Sequence, residues 1–542
     1  MTTDTPSHRL DRADLPLDPA AAADARRRRM ILIATCTALM AVVASVSGLN
    51  VAQQQLAVDL GAGQSALLWA INGYTIALAA LLLPIGAIGD RWGRKHVLVG
   101  GLVLFAVANV VASAAGTISL LIAARVLAGV GAAMIMPVTL SVITSSFPAE
   151  ERGNAIGVWS GIAGAGGIFG LISSAFLVDN FTWPWVFMAP TVLALGALAM
   201  TVKFVPHSRE HHTGRFDTLG SVLSALAVGG LVLAIHEGPE VGWTAPLTVL
   251  GAVVGIASAI WFVRWELRQE RPLIDLRVFG NRAVAGSSVA LMATFVIIMG
   301  LFLVVVQFLQ AVLGFSALRA AVGLLPMAAM MMPMSTIAPR IAQRTGLRPI
   351  LTAGISIVGL GLAMTAAFGS VDGGYLTVLP GLMIIGFGTG LAMTPGTTAI
   401  TGSLPEDKQG VASALNDTVR EFGGAIGIAL VGSLLNAGYK SSVSEATVGL
   451  SPELAESVKD GIGSTFAVAP QLGADAPRVI EAARNAFVDG WALSMWASAV
   501  AALVAAVFVW VWIPKGTSAL GSDALDLVPV EDDDEQLVLS LV

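Results

Sequence analysis

A single cysteine, Cys36, stands in 542 residues. One thiol forms no intramolecular disulfide and supplies no cysteine-based metal site. Histidine is almost as scarce. His8, His96, His207, His211, His212 and His236 all fall in tails, connections or the ends of apolar runs, so a histidine-built enzyme inside a membrane finds no ligands, and neither metal nor cofactor is expected. Charge is the third shortage: Asp, Glu, Lys and Arg make up 12% of the chain, against roughly 25% in soluble domains. With 55% hydrophobic residues and a mean hydropathy of +0.79, the chain reads as a membrane protein. Its partners are then a lipid bilayer and whatever crosses it, not nucleic acid. The N-terminal stretch is polar and Pro/Ala-rich, with no cleavage pattern after the first apolar run, so no cleavable signal peptide is expected. The acidic run Glu531-Asp532-Asp533-Asp534-Glu535 reads as a solvated tail.

What is abundant is apolar runs of span length. About 20 residues of helix cross the hydrocarbon core, and fourteen runs qualify, near 30–49, 67–88, 97–115, 120–144, 155–178, 185–202, 219–235, 247–263, 283–313, 320–337, 350–368, 375–400, 411–435 and 491–511. All are expected to be helices, because backbone polar groups in lipid must be satisfied within the segment. Positive charge tests the count. With Arg26 to Arg29 in the cytoplasm, sixteen Lys and Arg residues from Arg91 to Lys408 share that side, while the short connections opposite carry Arg319 alone. That asymmetry predicts two cytoplasmic termini in a multi-pass plasma-membrane protein. The long outer connection, 438–490, is too polar to span. It reads as two short helices, one opening at Ser451-Pro452-Glu453 with a cap, a first-turn proline and an acid against the dipole.

Gly86-Ala87-Ile88-Gly89-Asp90-Arg91-Trp92-Gly93-Arg94-Lys95 lies between the second and third runs. Its charges cannot sit in hydrocarbon, so it is a tight polar turn at the cytoplasmic face. The connection after the tenth run, Pro339-Arg340-Ile341-Ala342-Gln343-Arg344-Thr345-Gly346-Leu347-Arg348, repeats Arg-x-Gly and the closing cation, with Gln343 where Asp90 stands. Met136-Pro137 in the fourth run is echoed by Met393-Thr394-Pro395 in the twelfth. Each echo follows its partner by eight spans. The simplest partition is an all-α membrane protein of two six-helix bundles in pseudo-two-fold relation plus two additional helices between them. Its parts are a tail (1–29), a first bundle (30–205), two linker helices (206–282), a second bundle with the long outer loop (283–513) and an acidic tail (514–542). Parallel repeats of this kind place the substrate site near mid-membrane between the halves.

GxxxDRxGRK resembles the signature loop of major facilitator transporters. Together with Leu121 to Ala133 in the fourth span, Trp183-Pro184-Trp185-Val186-Phe187, Gln307-Phe308-Leu309-Gln310 and Asn416 to Gly424, it makes the chain similar to the fourteen-span drug:proton antiporter branch, which contains quaternary-ammonium and multidrug efflux pumps. The resemblance implies a transporter rather than an enzyme. It would export an amphipathic, cationic small molecule against protons by alternating access, and a monomer suffices. Export of an endogenous metabolite or lipid with altered or no proton coupling, or a non-transporting sensor on the same scaffold, are the alternatives. Two departures bear on coupling. Ser45 stands where the family usually has an Asp five residues before Asn50, and Leu171 replaces the proline after Gly170.

Ionisable groups within spans are the remaining candidates for coupling, since each costs roughly 2.5–3.5 kcal/mol at a helix centre. Asp417 and Glu421 form an i, i+4 pair in the thirteenth span, and Arg420 reaches Asp417 at i, i+3. Two like charges so close give one carboxyl that can hold and release a proton; the alternative is a permanent Asp417/Arg420 bridge. By resemblance Arg125 takes part in proton transfer; alternatively it snorkels to the outer surface. Asn72, Tyr74, Gln307, Gln310 and Asn416 are candidate cavity residues, although each can equally be helix-to-helix glue. Met327, Met330 to Met332 and Met334 form a pliable wall or ordinary packing. In similar transporters the acid at Asp90 caps the helix beginning near Gly410-Val411 while the inner gate is closed, with Arg91, Arg94 and Lys95 holding it in place; Gln343 offers no such anion, so the latch is one-sided.

Overall fold

The computed structural model describes residues 19–62, 64–207, 216–270, 272–405 and 408–517. The acidic run at 531–535, Arg209, Arg215 and Arg271 lie outside them. Fourteen helices are long and apolar enough to cross a membrane, and no strand occurs among the described residues. The first bundle comprises α1 (Pro19–Asp59), α2 (Gln64–Trp92), α3 (Arg94–Ser113), α4 (Ile118–Ser146), α5 (Ala149–Asn180) and α6 (Trp185–Phe204). Two linker helices follow, α7 (Thr218–Val241) and α8 (Pro246–Glu266). The second bundle holds α9 (Arg282–Gln307), α10 (Ala317–Val322) and α11 (Leu325–Thr345), α12 (Leu347–Phe368), α13 (Leu379–Thr401), α14 (Gln409–Val443) and, after short α15 (Pro452–Asp460) and α16 (Ile462–Val468), α17 (Ala476–Trp512).

Local chemistry sets several boundaries. Thr117, Asp217, Asn281 and Ser316 accept backbone N–H groups at the starts of α4, α7, α9 and α10, as small polar caps do. The tenth span is split because Pro326 cannot donate to the preceding turn. The ninth ends in a π-helical turn at Phe308–Val312.

Packing repeats between the halves. In the first bundle α1 lies on α5 and α6, α2 on α4, and α3 on α4 and α6; in the second, α9 lies on α14 and α17, α11 on α13, and α12 on α13 and α17. The echo read in the sequence is therefore structural. Pro137 and Pro395 lie inside the equivalent helices α4 and α13. Gly93 and Gly346 are each a single residue between two helices, with φ of 102° and 85°. A side chain at such φ costs about 1–2 kcal/mol, so Gly93→Ala is expected to lower the thermal unfolding midpoint of the purified protein, and Gly346→Ala to do so similarly.

The two bundles meet along α2/α14 and α5/α11, which are equivalent pairs under the repeat. The linker helices pack tightly on each other at Gly230, Gly251 and Gly255, and α7 rests on α2 and α14 through Ala79, Val232 and Ala425. The basic face of the molecule, defined by Arg94, Arg152, Arg344 and Arg348, carries the start of α1 and the end of α17. At the opposite face the sequence reading needs revision, because α14 and α17 continue to Val443 and from Ala476, so only 444–475 lies between them. At 1.5 Å per residue each is roughly 50 Å long, well beyond a hydrocarbon core of about 30 Å. Their projecting ends are capped by α15, which starts at Ser451 as expected, and α16. Tyr439 of α14 donates to Val458 O at 3.0 Å and meets Thr465 Oγ1 at 3.0 Å.

Candidate functional site

At the basic face the polar turn binds one bundle to the other. Asp90 is 4% exposed. Its Oδ1 accepts from Gly410 N at 2.8 Å and its Oδ2 from Val411 N at 3.1 Å, the first two residues after Gln409 at the α14 N-terminus, where free N–H groups and the helix dipole favour an anion. Arg94 clamps the same carboxylate through Nε at 3.2 Å and Nη2 at 3.1 Å. Gly86 makes the approach possible: a Cβ there would stand 2.6 Å from both Ala414 Cβ and the Gly410 carbonyl oxygen. Lys95 turns away to donate to Val202 O at 2.8 Å. Arg91 lies half-buried on the same turn.

The equivalent α5/α11 contact is closed at the same face without an anion from α11. Pro339 abuts Gly153, and Ser335 Oγ donates to Gly157 O at 3.1 Å. Gln343 makes no such bond among the described residues. The α5 N-terminus instead carries its own first-turn acids, Glu150 and Glu151.

Two turns into α14 lies a buried ion pair. Asp417 Oδ1 accepts from Arg420 Nη1 at 3.2 Å and from Asn416 Nδ2 at 3.1 Å, while Oδ2 is buried without a partner among the described residues. The Arg420 guanidinium sits 5.1 Å from the ring centre of Trp159 on α5 and 4.6 Å from that of Phe295 on α9. It thus touches an aromatic from each bundle, and Trp159 is itself fixed by Nε1 donating to Thr139 Oγ1 at 3.1 Å. Glu421, one turn further, is only half-buried and makes no hydrogen bond or ion pair among the described residues. The three charges are therefore unequal: one acid is committed to Arg420, the other is open.

Arg125 does not snorkel. It is fully buried, with Nε donating to Ala70 O at 3.1 Å, Nη1 to Ser45 Oγ at 2.9 Å, and its carbon 4.2 Å from the Tyr74 ring centre. Tyr74 is held by its hydroxyl donating to Val42 O at 3.2 Å, and Asn109 Oδ1 lies 3.5 Å from Ser45 Oγ. Ser45, at the position where the resemblance implies an Asp, is thus the residue that meets Arg125. Of the other cavity candidates, Asn72 is buried and Asn416 belongs to the Asp417 pair. Gln307 and Gln310 sit at the far end of α9 around the π-turn, exposed, with Gln307 Nε2 bonded to its own helix at Leu303 O. They are not grouped with Asp417. Met327 and Met331 are buried, Met331 Sδ packing over Gly164. Trp159, Phe295 and Ser45 are the site residues that sequence reasoning did not single out as partners; their partners lie in other helices.

Residues 33–428 match the sequence profile of the Major Facilitator Superfamily. The chain is 31% identical over 456 residues to the multidrug efflux pump LfrA of Mycolicibacterium smegmatis, covering 84% of this chain and 90% of that one. It is 30% identical over 498 residues to the methyl viologen resistance protein SmvA of Salmonella typhimurium, covering 90% and 99%. Among solved structures it is similar to the proton:xylose symporter XylE, with a TM-score of 0.60 at 14% identity over 93% of this chain and 99% of that one. A repeat of two six-helix bundles, a polar turn that ties α2 to α14 and a profile match over most of the chain agree: the protein belongs to the major facilitator superfamily.

Proposed function

We propose that the chain is a monomeric secondary transporter that exports amphipathic, cationic small molecules by proton antiport with alternating access. The observation that carries this reading is Glu421, an open carboxylate beside the Asp417–Arg420 pair on the helix that Asp90 latches. The names of LfrA and SmvA, both resistance or efflux proteins, favour drug export over sugar or metabolite uptake. The basic face is cytoplasmic, because short connections rich in Lys and Arg are retained there.

In the arrangement described here the cytoplasmic side is closed: Asp90 holds α14, and α11 presses on α5. Opening that side breaks the Asp90 bonds and separates α14 from α2. The same helix carries Glu421, so a change of charge there acts on the element the gate must move. A substrate cation favours the ionised Glu421; a proton arriving from outside displaces the cation and neutralises the group. Asp417 does not compete for the cation, being already balanced by Arg420.

The test is uptake of cationic dyes into inside-out vesicles with an imposed pH gradient. Accumulation that collapses when the gradient is discharged is expected, and gradient-independent uptake across a panel of dyes would remove proton coupling. Asp90→Asn is expected to reduce export about tenfold while leaving the protein folded and in the membrane. An anion at a partly buried helix N-terminus contributes up to about 2 kcal/mol, and about 1.4 kcal/mol is a factor of ten. Dye export and detergent-solubilised yield, measured side by side, check both halves of that statement.

A further inference from the structure

Three arginines are buried among the described residues: Arg94, Arg125 and Arg420. Arg94 is paired with Asp90 and Arg420 with Asp417. Arg125 is the most buried of the three and has no carboxylate within ion-pair distance among the described residues. A backbone carbonyl and a serine hydroxyl take two of its N–H groups, the Tyr74 face covers the guanidinium, and Nη2 is buried with no acceptor among the described residues. Arginine does not shed its proton to escape such a position, and an uncompensated buried charge is among the most costly arrangements a protein can hold. The charge is left open by one residue. Ser45 Oγ lies 2.9 Å from Nη1, where an aspartate side chain would complete the pair.

We propose that Arg125 is a subsite for an anionic oxygen group, a carboxylate, carried by the transported compound itself. The inference rests on the export reading above and narrows its substrate class to amphipathic amines that also bear an acid. The N-terminal bundle holds at Arg125 a buried cation without a carboxylate partner among the described residues, and the C-terminal bundle holds at Glu421 a half-buried carboxylate without an ion-pair partner among them. A compound with both charges engages one bundle with each. A planar guanidinium with two free N–H groups on one nitrogen suits a carboxylate oxygen. Ser45 then acts as the positioning residue: it holds Nη1 without neutralising it.

The experiment is equilibrium binding to the purified full-length protein, followed by fluorescence, with rhodamine B and its ethyl ester as the matched pair with and without the carboxylate. The wild-type protein is expected to bind the acid about tenfold more tightly than the ester, the size of one charge-assisted hydrogen bond. Ser45→Asp supplies Arg125 with an internal carboxylate and is expected to bring the acid-to-ester ratio to one or below. Ser45→Asn, of similar size and neutral, is expected to keep the preference. Should Ser45→Asp not fold, Arg125→Gln decides, with the same ratio of one. Equal affinities in the wild type, or a preference that survives Ser45→Asp or Arg125→Gln, would overturn the proposal. So would ester binding that requires added chloride, which would assign the position to an inorganic anion. Gradient-driven transport of the ester reads proton coupling separately. Coupled transport with no acid preference in binding removes the Arg125 subsite alone; acid preference without gradient dependence removes the antiport reading and leaves the subsite.

Discussion

Glu421→Gln is expected to produce a folded, membrane-inserted protein that no longer concentrates cationic dye against a pH gradient. The substitution keeps size and hydrogen-bonding capacity and removes only the exchangeable proton and the charge. Glu421 makes no ion pair or hydrogen bond among the described residues, so nothing in the fold depends on its being ionised. The loss should be nearly complete in the driven mode, because coupling between a proton and a cation requires a group whose occupancy by one excludes the other, and binding couplings of this kind are worth roughly 5–150-fold. Downhill dye movement is expected to persist, with a flat response to pH. The sign is set by which state the group supports. In the wild type, acidifying the outer side promotes release of the cation there and so accelerates export, whereas the variant cannot sense that change. Export by Glu421→Gln that still rises with external acidity would move the coupling site elsewhere.

The reason to assign the proton to Glu421 and not to Asp417 is geometric. The sequence places them as an i, i+4 pair, with Arg420 in reach of Asp417 at i, i+3 and a permanent bridge between those two as the alternative. The Arg420–Asp417 bond is formed, and a carboxylate already facing a guanidinium gains little from a second cation. The arrangement also makes use of the interface, because Arg420 touches Trp159 and Phe295 in the two bundles. The ion pair is fixed at the joint, while the acid beside it is open.

Features encoded locally were the ones readable from sequence. A span is set by the length of an apolar run, so all fourteen are legible, and the Asp90 latch is legible only as what the resemblance of its contiguous turn implies. The short helix at Ser451 announced itself by a cap and a proline. The sequence makes Arg125 a candidate to snorkel or relay protons, yet its environment comes from Ser45, Ala70 and Tyr74 on other helices, 80, 55 and 51 positions away in the chain. No periodicity within α4 carries that information. The same holds for Trp159 under Arg420. Gln307 and Gln310 look in sequence like Asn72 and Asn416, polar residues in an apolar run. That signature is the same for a cavity wall, a packed interface and a π-turn at a helix end. The true ends of α14 and α17 were also hidden, because a helix leaving the bilayer turns polar without ceasing to be a helix.

The largest effect on stability is expected from Arg420→Gln. Asp417 is fully buried, its Oδ2 already lacks a partner among the described residues, and its Oδ1 would keep only the Asn416 amide. Removing one partner of a buried pair leaves an uncompensated charge and costs about 3–5 kcal/mol. Loss of contact with the Trp159 and Phe295 rings adds on the order of 1 kcal/mol. If the cost comes from the stranded anion, Asp417→Asn in the same chain must recover most of it, because both charges are then gone and only the ring contacts are missing. The double variant is expected to lie within about 2 kcal/mol of wild type in denaturant unfolding, although each single change is strongly destabilising, a non-additivity typical of directly paired residues. A double variant as unstable as Arg420→Gln alone would mean that Arg420 stabilises through its aromatic contacts rather than its charge. The pair would then be a product of packing between the bundles instead of the fixed charge beside which Glu421 works.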